Sequence, residues 1–106
     1  MKSALRRLSS QETEITRVSA AIEVKTIILS NTSGKTALVR VRIEKNDGSS
    51  SVIFNGNVYP NLTESVYSSK DVQFFLESGE KIKASARNLD GSDPGSNVVD
   101  MILSYV

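Results

Sequence analysis

Between Leu38 and Glu44 apolar and charged residues alternate strictly: Val39, Val41 and Ile43 interleave with Arg40, Arg42 and Glu44. Successive side chains of an extended strand point to opposite faces, so a period of two sends the aliphatics to one side and the charges to the other. A helix would scatter both kinds around its circumference. The pattern returns from Lys81 to Arg87, with Ile82, Ala84 and Ala86 against Lys83, Ser85 and Arg87. It returns again at the C-terminus, where Val99, Met101, Leu103 and Tyr105 alternate with Asp100, Ile102 and Ser104. Each is a half-buried strand and needs an apolar surface opposite it. The stretch Ile22 to Leu29 is more continuously apolar and rich in β-branched residues, as expected of a strand well inside a sheet.

Turn chemistry separates these runs. Asn31-Thr32-Ser33-Gly34, Asn46-Asp47-Gly48, Asn55-Gly56 and Ser78-Gly79-Glu80 all contain residues that tolerate positive φ, and Asp90 to Ser96 reads as a longer polar loop. Asn55-Gly56, between Ser51–Phe54 and Val58–Tyr59, is the best candidate for a tight hairpin. The glycosylation-like tripeptides Asn31-Thr32-Ser33 and Asn61-Leu62-Thr63 read as turn residues. Short strands with turns this frequent predict an all-β fold, an antiparallel β-sandwich or jelly roll of seven or eight strands. A chain of 106 residues holds one such core. The sandwich is expected over residues 20–106, with residues 1–19 forming an N-terminal arm or the first strands. Ser9-Ser10-Gln11-Glu12 has the form of a helix cap, but the β-branched Thr13, Ile15, Thr16 and Val18 favour extended structure.

Composition narrows function by exclusion. There is no histidine and no cysteine, which removes the commonest general base, the thiolate nucleophile and the usual zinc ligands. No phosphate-binding glycine motif is present. The pairs Glu77/Glu80 and Asp90/Asp93 read as exposed loop acids, too few for a calcium cage. No enzyme activity, cofactor or metal is expected. Residues 1–45 carry nine Lys/Arg against four Asp/Glu, and residues 46–106 carry four against eight. This bipolar chain lacks the clustered basic face of a nucleic-acid binder. If the two halves end on opposite sides of the fold, it favours head-to-tail contact with a like or larger partner; the preferred reading is that the charges are simply the solvated faces of strands. No run approaches the ~20 apolar residues of a membrane span, and the positive start at Met1–Arg7 is not followed by the apolar stretch of a signal peptide.

Residues Ala20 to Ser33, running into Thr36–Ile43, and later Phe75-Leu76-Glu77-Ser78-Gly79-Glu80-Lys81-Ile82-Lys83-Ala84-Ser85-Ala86, closing on the strand to Val106, carry a resemblance. Over roughly residues 15–106 the chain resembles the small β-sandwich structural proteins of tailed-bacteriophage virions. In these, a strand ending in an Asn-Thr/Ser turn precedes a charged alternating strand, and a Leu-x-x-Gly-Asp/Glu-x-Ile turn opens the penultimate strand. Where such proteins often carry a Val-Pro-Ala-Gly turn, this chain has Val18-Ser19-Ala20-Ala21. The resemblance implies a non-enzymatic virion component, assembled in the host cytoplasm. Capsid decoration is expected first; the alternatives are a neck, tail or fibre-base part, or a carbohydrate- or receptor-binding module. Expected partners are other virion proteins and further copies of the chain.

The candidate contact residues come from the residues themselves. Leu5, Arg6, Arg7 and Leu8 lie in a segment light in large apolar residues, so the first ten residues are expected to add little to their own core and to pack on a neighbour. Adjacent strand residues face opposite ways, so one ring of Phe74-Phe75 should leave the core; it is either covered by a loop or the second sheet or is a subunit contact.

Overall fold

A computed structural model describes residues 2–17, 19–68, 70, 74–89 and 99–106. Among these residues there are nine strands and no helix: β1 (Lys2–Arg7), β2 (Thr13–Arg17), β3 (Ile22–Asn31), β4 (Ala37–Glu44), β5 (Ser50–Val58), β6 (Leu62–Ser68), β7 (Phe74–Leu76), β8 (Lys81–Asn88) and β9 (Val99–Tyr105). Every pairing is antiparallel. Sheet A runs β1-β9-β3-β6, with β7 also paired to β3, and sheet B runs β2-β8-β4-β5. The pairs nest, β1 with β9, β2 with β8, β3 with β6 and β4 with β5, which is the order of a jelly roll.

The alternating runs do what their period requires. Val39, Val41 and Ile43 of β4 and Ile82, Ala84 and Ala86 of β8 are buried, facing Val99, Met101 and Leu103 of β9 and Val24, Ile27 and Leu29 of β3. A fully buried aliphatic side chain of this kind contributes about 1.5–3 kcal/mol. Both turn-residue readings hold. Asn31, 1% exposed, donates from Nδ2 to the Lys35 and Val58 carbonyls at 2.9 Å, and its Oδ1 accepts the Ser33 N–H. Asn61 sits at φ 58° in the turn before β6.

Two expectations need correction. Lys2–Arg7 is an extended strand, but the segment does contribute to the core: Leu8 is 1% exposed, its N–H bonds to the Val99 carbonyl, and β1 pairs with β9 through all six of its residues. Asn55-Gly56 is no hairpin. Both lie inside β5, opposite Arg40 and Val39, and the turns fall at Lys45–Ser49 and Tyr59–Asn61 instead. Local turn propensity loses here to pairing with the long alternating β4. Gly56 has another reason to be glycine: a Cβ there would come within 3.3 Å of the Phe54 ring, which lies over it. Finally, charge does not separate by chain half. Nesting puts strands of both halves into each sheet. The loop expected at Asp90–Ser96, with the Asp90/Asp93 pair, lies outside the described residues.

Leu8→Ala and Leu103→Ala should each cost about 2–5 kcal/mol in urea denaturation, the range for emptying a buried leucine site. Arg40→Ala, on the outer face, should stay within about 0.5 kcal/mol of the parent. A Leu8→Ala variant as stable as the parent would remove β1 and its connection from the cooperative core.

Candidate interaction surfaces

Sheet B turns its charged side outward. Arg40 lies opposite Ser85, Arg42 opposite Lys83 and Glu44 opposite Lys81, so β4 and β8 bring their cations together. Acids from β2 and its approach offset them. Arg42 donates from both Nε and Nη2 to the Glu12 carboxylate, the latter at 2.6 Å. Lys83 pairs with Glu44 at 2.8 Å and Lys81 with Glu14 at 3.9 Å. The Arg42 hydrogen bonds, ahead of its charge, hold the Glu12 carboxyl below the usual carboxylate range. Arg40 and Arg87, both exposed, border an open depression of about 550 Å³ floored by Leu38, Asn55 and Ser85. This face is polar and salt-laced, and each partly exposed pair adds little to stability.

Sheet A presents a different surface. Strand register places most of its outward side chains in three rows. Ser3, Ser104, Thr26 and Ser68 form one; Leu5, Ile102, Ile28 and Ser65 the next; Arg7, Asp100, Ser30 and Thr63 the third. The only charges in these rows neutralise each other, Arg7 Nε donating to Asp100 Oδ1 at 3.1 Å. Thr63 Oγ1 donates to Ser30 Oγ at 3.1 Å. An apolar row between hydroxyl rows is a surface that a partner can cover without desolvating an unpaired charge.

The sequence-derived contact residues divide between these settings. Leu5 is 60% exposed in the middle row of sheet A, and Arg7 ends the row beside it. Arg6 is exposed on the β1 edge, and its Nη1 donates to the Leu5 carbonyl. Leu8 belongs to the core and offers nothing to a neighbour. The Phe74-Phe75 expectation holds in its geometry. Phe74 turns inward, its ring centroid 4.6 Å from that of Tyr67, while Phe75 is 56% exposed opposite Glu23. Phe75 therefore stands on the outer side of sheet A, at the far end from Arg7.

Glu80 is the residue most misread from sequence. It is 5% exposed rather than a surface acid. Its carboxylate accepts the Glu77 N–H at 2.9 Å, the Lys45 ammonium at 3.2 Å and the Asn46 N–H at 3.3 Å. It ties the turn after β4 to the turn where the chain crosses from β7 in sheet A to β8 in sheet B. Gly79 completes the corner at φ 91°, where a Cβ would meet Asn46 Oδ1 at 2.8 Å, and Asn46 Nδ2 donates to the Ser78 carbonyl. The available signal was the acid directly following the glycine of Leu76-Glu77-Ser78-Gly79-Glu80. The neutral rows of sheet A had a signal too: the polar phase of β3, β6 and β9 is mostly Ser and Thr, whereas that of β4 and β8 is mostly charged.

Among the described residues no three His, Cys, Asp or Glu side chains gather to hold a metal ion. No family model, curated protein or solved structure matches this chain.

Hydrogen bonding, led by the Glu77 N–H, holds the Glu80 carboxyl below its ordinary value of 4.5, against the opposing effect of burial. A carboxyl whose folded pKa is depressed stabilises the fold above its unfolded pKa and loses that contribution as pH falls through the folded value. Glu80→Gln should therefore destabilise the protein at neutral pH, by about 1–3 kcal/mol for disturbed buried partners. It should also flatten the loss of stability below pH 4.5. Urea denaturation at a series of pH values reads both. Parallel acid limbs for variant and parent would show that the corner does not depend on the charge.

Proposed function

We propose that this chain is a non-enzymatic structural subunit of a tailed-phage particle, and within such a particle a capsid decoration protein, docked through the outer face of sheet A. The observation that carries the reading is the contrast between its two faces. Sheet A offers a neutral row of Leu5, Ile102 and Ile28 between rows of hydroxyls, and its charges Arg7–Asp100 and Glu23–Lys25 are paired within the sheet. Sheet B offers salt-bridged cations suited to water. A small sandwich that docks on one flat face and keeps the other hydrated needs neither cleft nor cofactor. The resemblance of residues 15–106 to virion sandwiches supplies the setting.

Particles of a phage encoding this chain should contain it in many copies, and antibody labelling in electron microscopy should place it on the head. Ile102→Lys sets an unpaired charge in the middle row. It should lower particle occupancy about tenfold or more, the equivalent of about 1.4 kcal/mol, while the free protein stays folded by circular dichroism. Label on the tail or neck would move the role there, and absence from purified particles would end the virion reading. Binding to glycan arrays in place of particles would favour the carbohydrate-binding alternative.

A further inference from the structure

A sandwich has four sheet edges, each a row of N–H and C=O groups open to another strand. Here they are β1 and β6 in sheet A, with β7 extending the β6 side, and β2 and β5 in sheet B. Natural edges carry charges that discourage strand addition. β1 has Lys2, Arg6 and Arg7; β2 has Glu14; β6 has Glu64. The longest of the four, β5, runs nine residues without a charge or a proline and is paired with β4 alone. Two of the exposed large hydrophobic residues, Val52 at 43% and Tyr59 at 53%, lie within it and just past its end.

We propose that two copies of this chain pair β5 against β5 about a two-fold axis at Gly56, joining their B sheets into one of eight strands. The occupant is a second copy because the strand complements itself. A two-fold at Gly56 sets Asn55 opposite Asn57 of the other copy on the outer face, amide to amide. Phe54 falls opposite Val58 on the inner face; Val58 is already buried with its carbonyl bonded to Asn31 Nδ2, so the open part of the edge is centred on Asn55–Asn57. Glycine meets glycine at the axis, beneath Phe54 rings that already lie over them. Tyr59 of each copy reaches the Val52–Ile53 end of the other, so both exposed apolar groups are covered. The bulge opposite Val41/Arg42 lies outside the Phe54–Val58 stretch, which keeps unbroken register with β4.

Charge permits this join and opposes the alternative on sheet A. Arg40 and Arg42 sit one strand in from the β5 edge, so three strand spacings, about 14 Å, separate them from their copies. That exceeds the ~8 Å screening length at physiological salt. Pairing β1 with itself would set Lys2 opposite Arg7 of the other copy. The β5 pairing stands whether or not the chain belongs to a phage particle.

Sedimentation equilibrium of the full chain, with circular dichroism alongside, tests the edge and its register. The parent should be a dimer. N55K/N57K places lysine opposite lysine twice and should raise the dimer Kd about tenfold or more with the fold intact. N55D/N57K places aspartate opposite lysine across the same axis and should restore the dimer. A parent that is monomeric at hundred-micromolar concentration overturns the proposal. So does an N55K/N57K protein that dimerises like the parent, or an N55D/N57K protein that stays monomeric.

Discussion

The apolar contact between four central strands holds the molecule together. Val24, Ile27 and Leu29 of β3, with Val99, Met101 and Leu103 of β9, close on Val39, Val41 and Ile43 of β4 and Ile82, Ala84 and Ala86 of β8. The outer strands lean on this block and add single large groups at its margins: Leu8 after β1, Ile15 from β2 and Val58 from β5. Hydrophobic contact has no direction, and it alone would tolerate more than one way of closing the sheets. The buried polar groups supply the direction. Asn31 and Glu80 are costly inside unless every partner is in place, and each partner set spans separate turns. A strand slipped by one residue would leave these groups unpaired and also turn its aliphatics to water.

How legible each part was depends on whether its cause is local. The alternating strands β4, β8 and β9 were readable almost to the residue, because period-two burial is written directly into neighbouring positions. β5 was not. Asn55-Gly56 has the local chemistry of a turn, and pairing with β4 holds it straight. Leu8 carries no pattern at all; one leucine among polar neighbours reads as surface, and only the closure of β1 on β9 buries it. Glu80 was misjudged for a similar reason, since its donors Lys45 and Asn46 lie more than thirty residues away in sequence. Two oppositely charged ends would require chain halves to become spatial halves, which nesting forbids; the charges instead line strand faces, the preferred reading of the sequence.

Nesting also explains where the charge went. The two most strongly alternating charged strands, β4 and β8, become neighbours, so their cations share the outer face of sheet B with the acids of β2. Sheet A is left mostly with Ser, Thr and a short apolar row, together with the Arg7–Asp100 and Glu23–Lys25 pairs. The difference between faces is thus a product of strand order acting on an alternation that is local in each strand. It is invisible to any count taken along the chain.

The proposed edge contact and the proposed docking face use different parts of the molecule and do not compete. A two-fold axis along the sheet normal is the one that pairs antiparallel edges while keeping each sheet's inner side inward. Two copies joined through β5 therefore extend sheet B sideways and leave both A faces pointing the same way. A pair built like this docks on a flat, repeating surface with two sites at once. The second site then binds at the effective concentration set by the first, so two weak faces hold where one would not. The neutral rows of sheet A, with one exposed leucine at the β1 end of the middle row, form a modest contact taken singly. Doubling through a charge-free edge lets such a contact persist, and the edge that makes the doubling available is the one strand whose straightness the sequence concealed.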